Sequence, residues 1–472
     1  MVVDAAQHKI AREGVGTVHV VSLGCPKNLV DSELMIGRLQ QAGLALVDDA
    51  QTADVLLVNT CAFVEASKTE SVDAILELAE HKAAHPGARL VVAGCLAQRY
   101  ASELSAEMPE VDLFVGTGEV ADIAWRLGLT APSAAGLSAS LSASPPVGPG
   151  VPAKKPRYLA DHLEPRYVAP NTFSTWLKIA EGCSQGCSFC IIPKLRGTQR
   201  SRTIDDVIAE AHSLVGRGVL ELNLVAQDLT HYGVDIDEPH ALARLIRRLG
   251  EVPGLAWVRL LYCYPDGFDD ELIAAIAETD NCCKYIDMPI QHATDSMLER
   301  MNRHTSRAAI DRTLDNLRSR VDDLVLRTTF IVGHPGETER DFEALLDFIG
   351  EQRFDHVGCF DYSREDGTLS ARMPAQVSTA VKRFRQSEIM TLQRGISAAH
   401  MEARIGQRLD VLIEGLSDET DLLLQGRFAG QAPDIDGVVY INDAPADVGR
   451  GQLRVVEVTE AGDYDLVGHV VE

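Results

Sequence analysis

The chain has 472 residues, 46% of them hydrophobic, and a formal net charge of −25. This length allows about two to four domains, and this composition excludes general disorder. The excess of acidic residues disfavours a broad grip on nucleic acid, which needs clustered Lys and Arg, and favours a basic partner. No run approaches the roughly 18 apolar residues of a membrane span, so we expect a cytoplasmic protein without membrane association. In that compartment grouped cysteines indicate metal binding or catalysis rather than disulfides, and the chain has ten.

The first block, 16–129, predicts a parallel α/β domain. Short apolar runs alternate with helical stretches over about 28–42 and 64–84, a pattern typical of a parallel sheet covered on both faces. The predicted strands, in chain order, are VHVVSLG, DVLLVNT, ARLVVAG and VDLFVG.

A linker over 130–170 separates this block from the next. Within 130–153, 19 of 24 residues are Ala, Ser, Pro or Gly, a composition that buries little surface. We therefore expect this segment to be mobile.

The middle block, 171–400, repeats the strand–helix unit six times. Helical patterns, for example over 204–215, 269–278 and 339–349, separate the strands. Six such units with right-handed crossovers form either a doubly wound sheet or an incomplete barrel, and periodicity leaves both possible. The predicted strands are WLKIA, LELNLVA, WVRLLY, KYIDMP, LVLRTTFIV and HVGCFDY.

The tail, 401–472, follows a long predicted helix over about 378–404. Its short strands, broken by Gly, Pro, Asp and Asn, predict a small antiparallel β-barrel of the kind used by nucleic-acid-binding modules. Yet the tail holds 15 Asp or Glu, five Arg and no Lys, a net charge of −10. Such a barrel should repel a phosphate backbone and attract a basic peptide or protein.

One cysteine group lies in EGCSQGCSFCIIPKLRG, where Cys183, Cys187 and Cys190 have the spacing C-x3-C-x2-C. Three thiolates on one loop suit three irons of a cubane cluster and leave one iron open for a substrate. Structural zinc is a weaker alternative because it prefers four closed ligands, and three unrelated buried thiols are a further alternative.

A second cysteine group is scattered in sequence. Cys25, Cys61 and Cys95 each lie one or two residues beyond a predicted strand, at spacings of 36 and 34 residues. The carboxyl ends of parallel strands share one edge of a sheet, so the three thiols should converge there. We predict a second iron–sulfur site at this edge, with three ordinary semi-buried cysteines as the alternative.

The C-x3-C-x2-C motif, with Phe189 before its last cysteine, resembles that of the radical S-adenosylmethionine (SAM) enzymes. This resemblance implies a partial (β/α)6 barrel for the middle block. It also implies that the methionine part of SAM chelates the open iron, and that the reduced cluster cleaves SAM to a 5′-deoxyadenosyl radical.

Three N-terminal cysteines, a radical SAM motif and a TRAM-like C-terminal β-barrel together are similar to the methylthiotransferases. The resemblance implies two [4Fe–4S] clusters and SAM as cofactors, with the cluster at Cys25, Cys61 and Cys95 taking part in sulfur delivery. It implies catalytic and metal-binding roles for all six cysteines, and an electron donor such as flavodoxin or ferredoxin.

The segments GCPKNLVDSE, AQDLTHYGVD, PIQHAT and FIVGHPGETERDF resemble the branch that modifies the β-carbon of an aspartate in protein twelve of the small ribosomal subunit. The acidic tail agrees with a basic ribosomal protein, rather than nucleic acid, as the direct target. The alternatives are a transfer-RNA adenosine methylthiotransferase and a non-enzymatic iron–sulfur carrier or electron-transfer protein. His334 departs from the family, which usually has an aromatic or apolar residue there.

Polar residues and glycines at the ends of the barrel strands are candidates for SAM contacts, since strand carboxyl ends face the active site of such barrels. Gln227 and Asp228 follow the second strand, and Gly333 follows the fifth. With Phe189 they form the predicted cofactor-binding set. Structural turn roles are the alternative for each of them, as for Gln291 and His292 after the fourth strand.

Overall fold

A computed structural model describes residues 16–130, 152 and 156–471. The linker predicted over 130–170 therefore lies partly outside the described residues, and the mobility expected of it concerns that part. The chain divides into two compact units. Unit 1 contains the described residues up to Pro170 together with Lys178–Ser184 and Cys190–Arg202, and unit 2 contains the others.

The strands, in chain order, are β1 (Thr17–Ser22), β2 (Ala45–Leu46), β3 (Val55–Thr60), β4 (Arg89–Gly94), β5 (Leu113–Val115), β6 (Ser174–Lys178), β7 (Ala180–Glu181), β8 (Arg200–Ser201), β9 (Glu221–Val225), β10 (Trp257–Leu260), β11 (Cys282–Gln291), β12 (Val325–Val332), β13 (His356–Asp361), β14 (Arg408–Leu416), β15 (Leu424–Phe428), β16 (Val439–Asp443), β17 (Leu453–Ala461) and β18 (Leu466–Val470).

The helices are α1 (Pro26–Gln41), α2 (Glu65–Ala84), α3 (Cys95–Glu107), α4 (Ile123–Arg126), α5 (Ile192–Arg196), α6 (Ile204–Val215), α7 (Ala241–Gly250), α8 (Asp270–Glu278), α9 (Asp295–Arg300), α10 (Arg307–Arg320), α11 (Glu339–Gln352) and α12 (Thr379–Glu402). Among the described residues, none of these helices is both long and apolar enough to cross a membrane.

Unit 1 is built on a parallel sheet with the strand order β2-β1-β3-β4-β5. Its four longer strands confirm the four predicted apolar runs. All six residues of β3 are buried, as expected for a strand covered on both faces. The edge strand β2 was not predicted, because two residues are too short to show a periodic signal.

Unit 2 contains a six-stranded sheet with the order β13-β12-β11-β10-β9-β6, and β9 to β13 pair in parallel. Each strand lies beside the next one of this sheet in the chain. A doubly wound sheet would reverse its order at a switch point, whereas a (β/α) barrel winds in one direction. The sheet is therefore the partial (β/α)6 barrel implied by the resemblance, and the doubly wound alternative is wrong.

The tail forms a closed barrel in the order β14-β15-β16-β18-β17, which confirms the predicted small β-barrel. Its pairs are antiparallel except β16 with β18. These two strands run in the same direction because β17, between them in sequence, runs back before β18 begins. A core of apolar side chains, including Val411, Val439 and Val456, fills the interior.

Buried ion pairs join this barrel to the amino-terminal ends of the larger sheet. Arg427 of β15 donates to Glu221 of β9 at 2.7 Å, and Arg259 of β10 donates to the same carboxylate at 2.9 Å. Beside them, the Tyr285 hydroxyl of β11 donates to Asp436 at 2.7 Å. The small barrel thus supplies partners for charged groups that the sheet buries.

Candidate functional site

The three N-terminal cysteines lie at the carboxyl ends of three adjacent strands, β1, β3 and β4. Cys25 directly precedes α1, Cys61 directly follows β3, and Cys95 is the first residue of α3 after β4. The predicted convergence at one sheet edge therefore agrees with the observed strand order.

The loops that carry these cysteines are in close contact. A Cβ atom added to Gly24 would lie 2.7 Å from the Cβ of Cys61, and one added to Gly94 would lie 2.6 Å from the carbonyl oxygen of Thr60. Both glycines have positive φ angles, of 88° and 92°. Glycine is therefore needed at both positions for the three loops to meet.

Four buried charged side chains accompany this cysteine group in unit 1. Arg196 donates to both carboxylate oxygens of Glu181, at 2.9 and 3.0 Å, and to Asp31 at 3.0 Å. Lys178 forms ion pairs with Asp31 and Glu181. The charges of two cations thus balance those of two carboxylates. These four groups together therefore add no net negative charge that would repel nearby thiolates.

Burial raises the pKa of two of these thiols, Cys61 and Cys95. Burial raises the pKa of Cys95 to about 12, although the nearby Arg196 guanidinium opposes the rise. Burial also raises the pKa of Cys61, and a backbone hydrogen bond from Phe63 opposes it. Iron binding needs thiolates, so a cluster here would displace the protons that burial retains on Cys61 and Cys95.

The second cysteine group lies on the loop between β7 and α5. The Cys183 backbone N–H donates to the Gly197 carbonyl at 3.1 Å. Gly182 has a φ angle of 80°, and a Cβ atom there would lie 2.2 Å from the Thr198 carbonyl oxygen. Glycine at this position therefore lets the start of the loop pack directly on the backbone beyond α5.

In unit 2, Cys187 has a cationic neighbour. Arg303 Nη1 lies 3.6 Å from Cys187 Sγ, and Arg303 Nη2 donates to the Pro289 carbonyl at 2.6 Å. The guanidinium also stacks on the Tyr264 ring, 3.9 Å from its centroid. The guanidinium is thus held beside the Cys187 sulfur by contacts with a backbone carbonyl and an aromatic ring.

Ser188, next to Cys187, is held by four hydrogen bonds. Its N–H donates to the Met301 carbonyl, and its carbonyl accepts from the Ser370 N–H. Its hydroxyl donates to the Arg300 carbonyl and accepts from the Ser370 hydroxyl. His334 Nε2 lies 2.7 Å from the Ser370 hydroxyl and 3.4 Å from that of Ser188. The residue that departs from the family pattern therefore supports the cysteine loop.

The predicted SAM-contacting residues lie at strand ends of unit 2. Asp228, directly after Gln227, accepts from Gln185 Nε2 at 2.6 Å and pairs with His231 at 2.9 Å. Hydrogen bonds from His231 and Gln185 hold the pKa of Asp228 below its usual range despite its burial. Asp228 thus contacts Gln185, which lies between the first two cysteines of the motif.

The other strand-end candidates are also placed there. Gly333 has a φ angle of 73°, and a Cβ atom on it would lie 2.2 Å from the Lys382 side chain. The ring of Phe189 meets that of His334 edge-on, with 6.5 Å between centroids. Gln291 has an unusual φ angle of 75°, and His292 Nδ1 accepts from the backbone at 2.9 Å, a structural role.

All ten cysteines are free thiols, and the donor sets fit iron–sulfur clusters chemically. Across residues 16–130, 152 and 156–471, no three His, Cys, Asp or Glu side chains are arranged to hold one metal ion. Cubane thiolates bind separate irons, so they stand farther apart than the ligands of one ion.

Sequence reasoning missed the supporting residues of both groups. Arg303 and Arg196 showed no distinguishing pattern. On α1, however, Asn28, Asp31 and Ser32 have the i, i+3, i+4 spacing of one helix face, and all three are buried. This polar face, on a helix that directly follows Cys25, is the sequence signal that would have identified Asn28 and Asp31 as supporting residues.

Three family models match the chain. They are the Uncharacterized protein family UPF0004 over residues 17–116, the Radical SAM superfamily over 177–349 and the TRAM domain over 405–471. The radical SAM match implies an iron–sulfur cluster and SAM as cofactors.

Several solved structures share the fold. TsrM from Kitasatospora setae, a radical S-adenosylmethionine methyltransferase with cobalamin and a [4Fe–4S] cluster bound, superposes with a TM-score of 0.55. The match is 16% identical in sequence and covers 86% of this chain and 81% of that one. At this identity the likeness concerns the fold.

Curated relatives match nearly end to end. The ribosomal protein uS12 methylthiotransferase RimO of Anaeromyxobacter sp. (strain K) is 49% identical over 96% of this chain and 93% of its own length. The RimO protein of Geotalea uraniireducens is 46% identical over 96% and 98%. The chain therefore belongs to the family of RimO, the ribosomal protein uS12 methylthiotransferases.

Proposed function

We propose that this chain transfers a methylthio group to the β-carbon of an aspartate in ribosomal protein uS12. The observation that carries the proposal is the arrangement of Cys25, Cys61 and Cys95 at three neighbouring strand ends, in a chain that also has the radical SAM motif. One three-cysteine group suits SAM cleavage, and the second adds a place from which sulfur is supplied. Family membership supports the same substrate, since the relatives carry that name.

Under this proposal the chain holds two [4Fe–4S] clusters, one on each three-cysteine group. When bound, the clusters and SAM would supply the radical that breaks a C–H bond and the sulfur that is transferred. The residues of the chain position and shield these groups. Arg303 lies beside Cys187, and the hydrogen bonds to Ser188 hold the cysteine loop in place. The residues proposed to line the SAM site are Gln227, Asp228, Gly333 and Phe189.

We propose the following roles for the parts of the chain. Residues 16–129 carry the auxiliary cluster, 171–400 carry the radical chemistry, and 401–472 bind the substrate protein, with 130–170 as the linker. We propose a cytoplasmic location, because the substrate is a ribosomal protein, and a flavodoxin or ferredoxin as electron donor.

The direct test is anaerobic incubation of the iron-reconstituted full chain with purified uS12, SAM, sulfide and dithionite. Mass spectrometry should find a methylthio group on one aspartate, together with 5′-deoxyadenosine. About eight irons per chain are expected, four for each cluster. A Cys25→Ala, Cys61→Ala, Cys95→Ala variant should hold about four, form 5′-deoxyadenosine and leave uS12 unmodified.

Three results would contradict the proposal. Modification of transfer RNA in place of uS12 would identify a transfer-RNA methylthiotransferase. Clusters without any 5′-deoxyadenosine would identify a carrier or electron-transfer protein. Wild-type protein with only about four irons would remove the auxiliary cluster.

Substrate binding by the tail rests on its charge. Of its five arginines, Arg427 is buried in ion pairs and Arg404 stacks on Phe428, whereas most of its acidic residues are exposed. The described surface of the small barrel is therefore more acidic than its composition indicates. A basic protein is favoured there by charge.

Neutralising the loop between β14 and β15 tests this role. The triple variant Asp418→Asn, Glu419→Gln, Asp421→Asn should weaken uS12 binding, chiefly through slower association at low salt. Its formation of 5′-deoxyadenosine without uS12 should stay unchanged. The matched control removes three exposed acids from α11 and α12, as Glu343→Gln, Asp347→Asn, Glu388→Gln. Equal weakening in both triple variants would reject a specific role for the tail.

A further inference from the structure

The Asn28 side chain contacts all three loops of the N-terminal cysteine group. Its Nδ2 donates to the Leu23 carbonyl at 3.1 Å and to the Thr60 carbonyl at 2.9 Å. Leu23 lies two residues before Cys25, and Thr60 lies directly before Cys61. Its Oδ1 lies 3.8 Å from the Sγ of Cys95, within hydrogen-bond distance for sulfur.

The fourth contact of this carboxamide is with Arg196, whose Nη2 donates to Asn28 Oδ1 at 2.5 Å. Arg196 is the last residue of α5, the short helix that begins two residues after Cys190. Asn28 is thus bonded, through one side chain, to the three auxiliary loops and to the helix that follows the radical SAM motif.

Nothing about this side chain suggests a role elsewhere. Asn28 is completely buried, and its carboxamide uses both its donor and acceptor functions within this cluster. A buried amide is hydrogen-bonded in any stable core. Here, however, one partner is Cys95 itself, and Leu23 and Thr60 lie within two residues of Cys25 and Cys61. The remaining partner is Arg196.

We propose that Asn28 is a positioning residue of the auxiliary cluster site, holding the loops of Cys25, Cys61 and Cys95 at the spacing that a cluster requires. The inference rests on the proposed function, because it assumes a cluster at these cysteines. Side chains that orient metal ligands in this way typically contribute 10- to 100-fold to metal affinity.

The test isolates the auxiliary site. The background variant Cys183→Ala, Cys187→Ala, Cys190→Ala removes the radical SAM cluster and should retain about four irons. In this background, Asn28→Asp keeps the shape but replaces both N–H donors with an oxygen that faces two carbonyls. Asn28→Ser removes the carboxamide without adding charge.

Both variants should lose iron to a chelator roughly 10- to 100-fold faster than the background. The electron paramagnetic resonance spectrum of the reduced cluster should change as well. A general loss of stability would lower the number of clusters but would leave the spectrum of the retained clusters unchanged. The control is Ser32→Ala on the same helix, which removes buried hydrogen bonds to Ser22, Asn59 and the backbone carbonyl of Asn28 but none to a cysteine loop, and leaves the Asn28 carboxamide in place.

Iron loss and spectra like those of the background, in folded Asn28 variants, would overturn the proposal. So would unfolding of both variants by circular dichroism, since it would assign Asn28 a general structural role. A background that binds no iron while its own Asn28 is intact would instead reject the auxiliary cluster, and with it the proposed function.

Discussion

At the scale of single residues, Arg303 beside Cys187 can be tested for an effect on the radical SAM cluster. Arg303 approaches the sulfur with Nη1 while its other contacts, to Pro289 and Tyr264, fix the plane of the guanidinium. Hydrogen bonds to cluster sulfurs raise reduction potentials, because they stabilise the added negative charge of the reduced state.

Arg303→Lys should therefore lower the reduction potential of the radical SAM cluster and slow 5′-deoxyadenosine formation by roughly 10- to 100-fold. Redox titration followed by electron paramagnetic resonance measures the first effect. The exposed Arg340→Lys serves as the control. An unchanged potential in Arg303→Lys would show that this contact does not act on the cluster.

His334 gives the stability of the protein a pH dependence. Burial lowers the pKa of His334 from 6.5 to about 4, and the nearby His292, Arg300 and Lys382 add to this effect. Between these values the unfolded chain binds a proton that the folded chain refuses, so stability falls as pH falls from about 6.5 to about 4. The loss is about 3 kcal/mol at most.

His334→Gln cannot titrate in this range, so its free energy of unfolding should depend less on pH between 6.5 and 4 than that of the wild type. Urea unfolding at several pH values measures this difference. The exposed His212→Gln should keep the wild-type dependence. Parallel curves for wild type and His334→Gln would contradict the assignment.

At the scale of elements, the turn from β4 into α3 determines where Cys95 lies. Gly94 and Gly43 both have positive φ angles, 92° and 95°, but only Gly94 is packed against a neighbouring strand end. An added Cβ atom at Gly94 would lie 2.3 Å from Asn59 Oδ1, whereas one at Gly43 meets nothing within 4 Å.

Gly43→Ala should cost about 1–2 kcal/mol of stability through backbone strain and leave the iron content unchanged. Gly94→Ala should be more destabilising and should also displace Cys95, so that iron falls from about eight towards about four per chain. Iron analysis and urea unfolding of both variants separate strain from packing. Full iron content in Gly94→Ala would contradict the close packing of these loops.

At the scale of the whole of unit 2, the tail is not an independent appendage. Arg427 pairs with Glu221, and Asp436 bonds Tyr285 and lies 3.5 Å from Arg327. Deleting the tail would leave Arg327 and Glu221 with fewer partners at the amino-terminal ends of the sheet. A deletion of 401–472 would therefore disturb the partial (β/α)6 barrel as well as substrate binding. Neutralising the acidic loop between β14 and β15 is the better test of substrate binding for this reason.

Arg427→Met should lower the free energy of unfolding of unit 2 by about 3–5 kcal/mol, since it leaves a buried carboxylate with one partner fewer. Arg408→Met, which removes an exposed pair with Glu457, should change it by less than about 1 kcal/mol. Urea unfolding compares the two variants. Similar values for both would show that the buried pairs do not hold the small barrel in place.

Local signals in the sequence predict the longer strands, the two cysteine groups and the family. Apolar runs such as DVLLVNT and the C-x3-C-x2-C spacing are local signals, and local signals survive without a structure. Even the convergence of Cys25, Cys61 and Cys95 followed from one rule, because parallel strands end at a common edge.

The buried polar groups that surround these cysteines become visible only in the folded chain. Asn28 contacts Arg196 across 168 positions of sequence, and Glu221 contacts Arg427 across 206. Periodicity also left the sheet or barrel choice open, and strand order resolved it. For the buried groups the physical reason is that a buried charge or amide is stable only with its partner, and that partner is brought there by the packing of distant elements rather than by neighbouring residues. For the sheet, the order of the strands is likewise a matter of long-range packing that local periodicity does not encode.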